Sequence, residues 1–411
     1  MKHQPIFLNS DFQSSVLQPL ITDLDAPLFF YDLDFLRHHL KQGVSICNKL
    51  GVRYLYACKA NGLGSIIECI KDAGADFDVA SSGELQQVLK AGVNPSQLIC
   101  TGPAKSRSYL SLLLNRGVRT FILESEQQLT DLQSLCEESD LDVTALLRLQ
   151  LDWDRDDNSV LGGSSTTVFG LEEEHWINVL KENIHSNIDI RGVHCFQWGN
   201  LTNLYDLATI WKSVMQRSEQ FCQNAGIKTE VIDLGGGLGI DYSSVGISEY
   251  SWDDIGRVLS ELTDSKLFDE IWIEPGRYSV GLSGAYLNRV IDRKKTKNTE
   301  FLILEGGMNH LLRPALTSEG FPVVNINRCI SEALLFSMHG PLCTALDSLG
   351  SAQLSADTTT ADTLMFTKTG AYGFSESMPL FLAHQWPAEV SWINEEIKIE
   401  RLSAPAEEFL K

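Results

Sequence analysis

Short apolar runs alternate with amphipathic stretches over most of the first 275 residues of this sequence. Such runs are typical of buried strands, whereas apolar residues spaced three to four positions apart, as in residues 85–91 and 204–225, are typical of helices. About eight strand–helix units predict a (β/α)₈ barrel, and a doubly wound parallel sheet is the alternative on pattern alone. The predicted strands are residues 54–58, 77–80, 98–100, 120–123, 145–149, 190–195, 231–234 and 271–273.

The pattern changes after residue 276, where helical periodicity fades and β-rich stretches take over. We therefore expect residues 30–275 to form the barrel and residues 276–411 to form a mostly antiparallel β domain. Residues 350–363, rich in Ser, Ala, Thr and Asp, are predicted as a loop, and residues 395–411 as a helix or a frayed end. The predicted strands of the β domain are residues 278–290, 301–304, 363–367 and 390–392.

Composition narrows the class of protein. With 43% hydrophobic and 21% charged residues, the chain is typical of a folded globular protein. A net charge of −21 argues against nucleic-acid binding, which needs a basic surface. No apolar run is long enough to span a membrane, and residues 1–15 lack the apolar core of a signal peptide. Nine cysteines without a CxxC pair predict no disulfide framework, so we expect a reducing, cytoplasmic setting.

Chemically useful side chains follow the predicted barrel strands. Lys59 follows the first strand, where partial desolvation would free its amine for imine chemistry. An isolated lysine would be a surface residue, but Asp78, Arg148, His194 and Glu274 also lie at or after the ends of strands. Active sites of β/α barrels lie at this end of the strands. The set therefore predicts an active site.

A run of glycines, Gly235-Gly236-Gly237-Leu238-Gly239, follows the seventh predicted strand. Its backbone N–H groups can bind a phosphate at a helix N-terminus, because no side chain crowds them. A tight turn and half of a dinucleotide-binding fingerprint are the alternatives. The late position of the run and the missing acidic ribose partner argue against the dinucleotide.

Six motifs follow one another along the chain: Tyr56-Ala-Cys-Lys59-Ala-Asn61, Asp78-Val-Ala-Ser-Ser-Gly-Glu84, the glycine run, Glu274-Pro-Gly-Arg277, Cys343-Thr-Ala-Leu-Asp347 and Gly370-Ala-Tyr-Gly373. The ordered set resembles the pyridoxal-phosphate (PLP) decarboxylases of the alanine-racemase fold, the group of diaminopimelate and ornithine decarboxylases. The resemblance extends from about residue 27 to residue 390. It implies a PLP-binding barrel, a C-terminal β domain to which residues 1–29 add strands, a small-molecule substrate, and a homodimer with shared active sites.

The resemblance also implies roles for individual residues. Lys59 would form an imine with PLP, and Glu274 would face the pyridine nitrogen, although a salt bridge with Arg277 is the structural alternative for this glutamate. Cys343, supplied by the other subunit, would protonate the substrate carbon after CO₂ leaves. We expect no metal. The further cofactor-binding residues that the resemblance implies are Asp78, Arg148, His194, Gly235, Gly236, Gly237, Gly276, Arg277 and Tyr372.

One position departs from the family pattern. Relatives carry Gly-x-His-x-His, in which the second histidine stacks on the PLP ring, whereas this chain reads Gly192-Val-His194-Cys-Phe196. Phe196 can still pack on the ring, but it cannot handle protons. The first histidine, His194, is kept, and both a structural and a cofactor-binding role remain open for it.

The substrate motifs also depart from the diaminopimelate decarboxylases. Arg313 is kept and suits a substrate carboxylate. Thr344 stands where those enzymes have the glutamate that would hold the distal ammonium group, and Asp347 closes the same motif. This version resembles the decarboxylases of carboxylate siderophore pathways, so we expect α-decarboxylation of a citryl- or polycarboxylate-conjugated amino acid. The alternatives are decarboxylation of a free amino acid of the diaminopimelate, ornithine or lysine type, decarboxylation of an aminoacyl group on a carrier protein, and a non-catalytic homologue.

Overall fold

The computed structural model describes residues 4–153, 158–159, 162–163, 167–182, 187–247 and 249–410. The chain divides into two compact units. The barrel unit comprises Leu40–Gly239 and Tyr250–Gly276, and the β unit comprises Met1–His39, Ile240–Glu249 and Arg277–Lys411. The first holds a closed parallel barrel and the second a mostly antiparallel sheet, which confirms the predicted fold class and excludes the doubly wound sheet.

Eight parallel strands form the barrel, and the eighth pairs with the first to close it, with Ile271 opposite Val52. Each predicted strand is present to within two residues at its start and end. In chain order, the strands are Val52–Ala57, Asp76–Val79, Leu98–Cys100, Thr120–Leu123, Val143–Arg148, Ile188–His194, Val231–Asp233 and Glu270–Ile273.

Amphipathic helices connect the barrel strands, and several begin with a serine that caps the helix. Ser81 Oγ accepts a hydrogen bond from the Glu84 N–H (3.2 Å), and Ser125 Oγ accepts one from the Gln128 N–H (3.3 Å). Such caps satisfy backbone donors that the first helical turn leaves unpaired. The helices that the structure describes here are Leu33–Lys49, Gly64–Ala73, Ser82–Lys90, Arg107–Asn115, Glu126–Ser139, Glu173–Glu182, Leu204–Ala225 and Trp252–Asp264.

Large apolar side chains fill the inside of the barrel, so the barrel is a core and not a channel. Leu55, Ile99, Ile122, Leu146, Val231 and Trp272 form this cluster and are at most 2% exposed. Since they come from six different strands, burying them holds the strands in one register.

The β unit contains a nine-stranded sheet. Most neighbouring strands are antiparallel, but two pairs are parallel: Leu28–Asp32 with Ala388–Ile393, and Thr299–Leu304 with Ala333–His339. Along the main path the strands are Ser348–Ser355, Ala333–His339, Thr299–Leu304, Gly284–Thr296, Leu28–Asp32, Ala388–Ile393 and Glu396–Arg401, and Thr363–Thr367 pairs with Gly284–Thr296 and with Val323–Asn325.

Several local predictions for the β unit are wrong. The N-terminal segment is mostly helical, with Gln18–Leu24 as its longest α-helix, and it adds the single strand Leu28–Asp32. Its apolar residues, among them Phe7 and Phe12, pack on the sheet. The predicted loop 350–363 begins as the strand Ser348–Ser355, and the tail contains the strand Glu396–Arg401. Residues 277–280 form one helical turn before the strand Gly284–Thr296.

All nine cysteines lie in the described part of the chain, and all are free thiols. Among the described helices, none combines the length and the apolar character that crossing a membrane requires.

Gly192→Ala should destabilise the barrel. A Cβ atom at this position would lie 1.9 Å from the carbonyl oxygen of Val231 on the neighbouring strand. The backbone would have to shift, so we expect a loss of about 3 kcal/mol or more in unfolding free energy. Thermal and urea unfolding measure it. Gly64→Ala is the control, since its Cβ would meet nothing within 4 Å. Equal stability of the two variants would contradict the packing argument.

Candidate active site

The carboxyl ends of the sixth, seventh and eighth barrel strands bring His194, Asp233 and Glu274 together. One ligand atom from each residue lies within 4.8 Å of the others. His194 Nε2 lies 3.5 Å from Glu274 Oε2, and all three side chains are buried. Asp78, at the end of the second strand, is buried nearby and accepts a hydrogen bond from Thr101 Oγ1 (2.7 Å). Three carboxyl groups therefore share one dry region.

Burial and mutual repulsion determine which of these carboxyl groups are protonated. Burial raises the pKa of Asp78 to about 8, and the charge of Glu274 adds to the shift. Burial also raises the pKa of Asp233, again with help from Glu274. For Glu274 burial acts in the same direction, but His194, Lys59 and Arg148 outweigh it and lower the pKa to about 2. Glu274 is therefore the ionised carboxylate of the group.

Several polar atoms of this group have no hydrogen-bond partner among the described residues. They are Glu274 Oε1, Asp233 Oδ2 and both ring nitrogens of His194. Burial lowers the pKa of His194, although the nearby Glu274 opposes this shift. A buried carboxylate oxygen without a donor is costly. This region is therefore suited to receive a donor from a bound molecule.

Lys59 lies in the turn Cys58–Ala60 that follows the first strand. Its Nζ is 6.0 Å from the centroid of the Phe196 ring. Lys59 is exposed, so the desolvation that its sequence position predicts is not present. The amine and the aromatic face at position 196 are nevertheless neighbours, as their predicted roles would require.

The glycine run has the close packing that only glycine allows. A Cβ at Gly235 would lie 2.7 Å from Phe196 Cβ, and one at Gly236 would lie 2.9 Å from the Glu274 carbonyl oxygen. Gly235 and Gly237 also have positive φ angles, 62° and 97°. One prediction is wrong here, because no described helix begins after the run until Trp252. A ligand at this loop would meet backbone N–H groups without a helix behind them.

Two of the predicted residues have local partners. Glu84 Oε2 accepts a hydrogen bond from the Ala80 N–H (2.6 Å), so Glu84 caps its own helix. Arg148 Nη1 lies 3.2 Å from Glu124 Oε1, which provides the anionic partner that a buried arginine needs. Lys105 is also buried against Glu124, at 3.7 Å. Arg148 thus belongs to a buried ion-pair network at the ends of the third, fourth and fifth strands.

In the β unit, two buried arginines lie close to one tyrosine. Arg277 Nη1 donates a hydrogen bond to the Tyr242 hydroxyl (2.8 Å), and its Cζ is 4.5 Å from the centroid of the Tyr372 ring. Arg313 Cζ is 5.7 Å from the centroid of the Tyr242 ring. Arg277 Nη2 and Arg313 Nε are buried without a hydrogen-bond partner. This cluster therefore has positive charge and donors to offer an anion.

The loop that carries Cys343 and Thr344 is built around Asp347. Asp347 Oδ1 accepts a hydrogen bond from the Met308 N–H (2.6 Å), and Oδ2 accepts one from the Leu342 N–H (2.7 Å). Asp347 is 1% exposed, whereas Cys343 is exposed. Asp347 is thus engaged by the backbone.

The sequence analysis missed four polar residues of these clusters: Asp233, Thr101, Glu124 and Tyr242. Asp233 had a usable signal, since an acid two residues before a glycine run can bind the backbone of that run, and its Oδ1 accepts from the Gly235 N–H (2.8 Å). The others had none, because their partners are distant in sequence.

The barrel unit fits PLP on its own geometry. Glu274 is ionised and has an unpartnered oxygen, which suits a protonated pyridine nitrogen. The glycine run leaves no room for side chains, which suits a phosphate. Lys59 and Phe196 supply an amine beside an aromatic face. Barrel and site together define a PLP enzyme of the alanine-racemase fold.

The chain belongs to the pyridoxal-dependent decarboxylase family, whose pyridoxal binding domain matches residues 37–281. It is 26% identical over 404 residues to the L-glutamyl-[BtrI acyl-carrier protein] decarboxylase of Niallia circulans, covering 94% of this chain and 93% of the relative. It is 27% identical to the diaminopimelate decarboxylase of Bacillus methanolicus, covering 85% and 84%.

Solved structures show the same fold. Diaminopimelate decarboxylase from Helicobacter pylori, complexed with L-lysine, superposes with a TM-score of 0.85 at 22% identity, covering 95% of this chain and 98% of that one. Lysine/ornithine decarboxylase from Vibrio vulnificus gives 0.76 at 20% identity, covering 93% and 98%. The family and its curated members confirm the predicted cofactor and enzyme class, so this chain is a PLP-dependent amino acid decarboxylase. The non-catalytic alternative is set aside.

Asp78→Asn should stabilise the apoprotein, increasingly so as the pH rises. The pKa of Asp78 is about 8 in the folded state and 3.8 without the fold. The folded state keeps this proton between those values while the unfolded state loses it, so stability falls as pH rises through the window. Asparagine removes that penalty. Thermal unfolding of wild type and variant at pH 5 and pH 8 measures it.

The control is Asp76→Asn on the same strand, where Asp76 Oδ2 pairs with Arg53 Nε at 2.6 Å. This variant should be slightly less stable than wild type. A stability difference for Asp78→Asn that does not change with pH would contradict the assignment.

Proposed function

We propose that this enzyme removes the α-carboxyl group of an amino acid already joined to citrate or a similar polycarboxylate, in siderophore biosynthesis. The observation that carries the proposal is Arg313. It is 8% exposed, its Nε has no hydrogen-bond partner, and its ion pair with Glu319 is long, at 3.7 Å. Glu319 is itself half-exposed, so the pair is weak. A buried guanidinium group whose positive charge is so weakly paired is suited to bind a substrate carboxylate.

The other substrate residues argue against a diamine substrate. A distal ammonium group needs a carboxylate, and Thr344 offers only a hydroxyl. Asp347 is poorly suited to this role, because it is 1% exposed and each of its oxygens already accepts a backbone hydrogen bond. Decarboxylation of free diaminopimelate, ornithine or lysine is therefore the less favoured alternative.

The predicted cofactor-binding residues have different proposed roles. Lys59 would attach the cofactor covalently through its amine, Phe196 would pack on the ring, and Glu274 would hold a proton on the ring nitrogen. Gly235, Gly236, Gly237, Gly276, Arg277 and Tyr372 would bind the phosphate. The chemistry that bound PLP would supply is a sink for the electrons that CO₂ leaves on the α-carbon. Asp78 and Asp233, which keep their protons, leave Glu274 as the charge that supports this withdrawal.

Cys343 supplies the proton that replaces the carboxyl group, from its Sγ to the α-carbon. Its thiol is exposed on its own chain, which is consistent with a residue that a second subunit would cover. We therefore propose a homodimer in which each subunit contributes Cys343 to its partner's site. The hydrogen bond from the Leu342 N–H to Asp347 positions the loop that carries this thiol.

A second candidate substrate is an aminoacyl group on a carrier protein. It is favoured by the match to the Niallia circulans glutamyl-carrier-protein decarboxylase, which covers 94% of this chain. A glutamyl group that loses its α-carboxyl group must be joined to the carrier through its distal carboxyl group, so it leaves no free carboxylate for Arg313. The two candidates therefore differ in the charge that Arg313 would meet and in whether a protein must dock.

A substrate panel tests the proposal. Purified enzyme is given citryl-conjugated amino acids, meso-diaminopimelate, ornithine, lysine and glutamyl-carrier protein, and CO₂ release is measured. We expect the highest kcat/KM for a citryl conjugate. Preference for diaminopimelate or for the carrier-bound group would overturn the proposal in favour of that rival. Lys59→Ala is the blank, since it should lose both CO₂ release and the absorbance band that borohydride removes.

Arg313→Lys should raise KM for the preferred conjugate about tenfold with little change in kcat. Lysine keeps the charge but loses the planar, two-pronged donor geometry. Arg293→Lys is the matched control, because Arg293 pairs with Glu300 at a partly exposed site on the sheet. An unchanged KM for Arg313→Lys would contradict the carboxylate assignment.

A further inference from the structure

Tyr242 is the residue that both buried arginines of the β unit contact. Its hydroxyl accepts the hydrogen bond from Arg277 Nη1 at 2.8 Å. The Cζ atoms of Arg277 and Arg313 lie 5.8 and 5.7 Å from the centroid of its ring. These distances are within the range of a cation–π interaction. One tyrosine therefore provides a hydrogen-bond acceptor for one guanidinium group and an aromatic surface for both.

Tyr242 is itself held firmly. It is 6% exposed, and Phe321 packs edge-on against its ring at 5.1 Å between centroids. The preceding residue, Asp241, is fixed by Lys368, whose Nζ donates to the Asp241 carbonyl oxygen (2.6 Å) and to Glu249 (2.6 Å). Glu249 in turn accepts from the Asp241 N–H (3.1 Å). The backbone next to the Tyr242 ring is thus held by a buried ion pair.

Tyr242 also stays neutral. Burial raises the pKa of its hydroxyl, although both arginines oppose the shift. A neutral hydroxyl leaves the positive charge of both guanidinium groups uncancelled, whereas an acid at this position would pair with them. The positive charge of the cluster therefore remains available to an anionic ligand.

We propose that Tyr242 is a positioning residue with two separate roles: its hydroxyl orients Arg277 for the cofactor phosphate, and its ring supports Arg313 for the distal carboxylate of the substrate. The inference rests on the proposed roles of these two arginines. It makes the hydroxyl a determinant of cofactor affinity and the ring a determinant of substrate affinity.

Tyr242→Phe separates the two roles, because phenylalanine keeps the ring and removes the hydroxyl. Apoprotein is titrated with PLP and with pyridoxal, which lacks the phosphate, and binding is followed by absorbance and fluorescence. We expect the Kd for PLP to rise about tenfold, the effect of losing a hydrogen bond to a charged group, and the Kd for pyridoxal to stay the same. KM should stay within twofold of wild type at saturating PLP.

Tyr242→Leu removes the ring as well. It should show the same loss of PLP affinity and, at saturating PLP, a KM about three- to tenfold higher with kcat unchanged, because the cation–π support of Arg313 is lost. Tyr242→Met keeps more of the side-chain volume without an aromatic face, and it serves if the leucine variant does not fold. Tyr205→Phe is the matched control, since Tyr205 is 76% exposed.

Two results would overturn the inference: a Tyr242→Phe variant whose ratio of PLP to pyridoxal affinity equals that of wild type, or a ring-less variant with wild-type KM. The cofactor titration needs no substrate, and KM is measured with whichever compound of the panel wild type prefers. Failure of the citryl proposal therefore appears in the wild-type panel, whereas failure of the Tyr242 inference appears in the variant-to-wild-type ratios.

Discussion

Like charges cannot all persist where water is excluded, and this constraint organises the barrel unit. Parallel strands must end at the same rim, so Asp78, Asp233 and Glu274 are brought close together in a dry region. Two of them keep their protons because burial disfavours their charged forms and because the third is ionised. Glu274 is the one in contact with His194 and under the charges of Lys59 and Arg148. Competition among the three acids thus leaves one buried carboxylate, Glu274, that suits a protonated pyridine nitrogen.

The sequence was informative where function depends on local chemistry. Apolar runs bounded by turn residues marked the barrel strands, since a strand buried on both faces leaves a continuous apolar signal. It was least informative where tertiary packing decides. The N-terminal segment is apolar because it packs on the sheet, and that burial suits helices as well as strands. The strand Ser348–Ser355 has a polar, partly exposed face, so its composition is that of a loop.

The same contrast between local motifs and tertiary packing holds for the candidate site. Lys59, Glu274 and the glycine run were found because their motifs are contiguous, and the structure brings them beside His194 and Phe196. Tyr242 and Glu124 were missed because their significance lies in partners 35 and 24 residues away. Exposure of Lys59 was also unforeseeable, since burial of a side chain after a strand depends on what neighbouring loops cover.

The carboxylate of Asp347 fixes the shape of its loop independently of the side chains that the loop presents. Because this side chain bonds the backbone of Met308 and of Leu342, the turn keeps its course whatever stands at the three positions between Cys343 and Asp347. Mutation can therefore sample new contacts there without disturbing the thiol. A scaffold arranged in this way can diverge toward new metabolites while the position of its thiol is inherited intact.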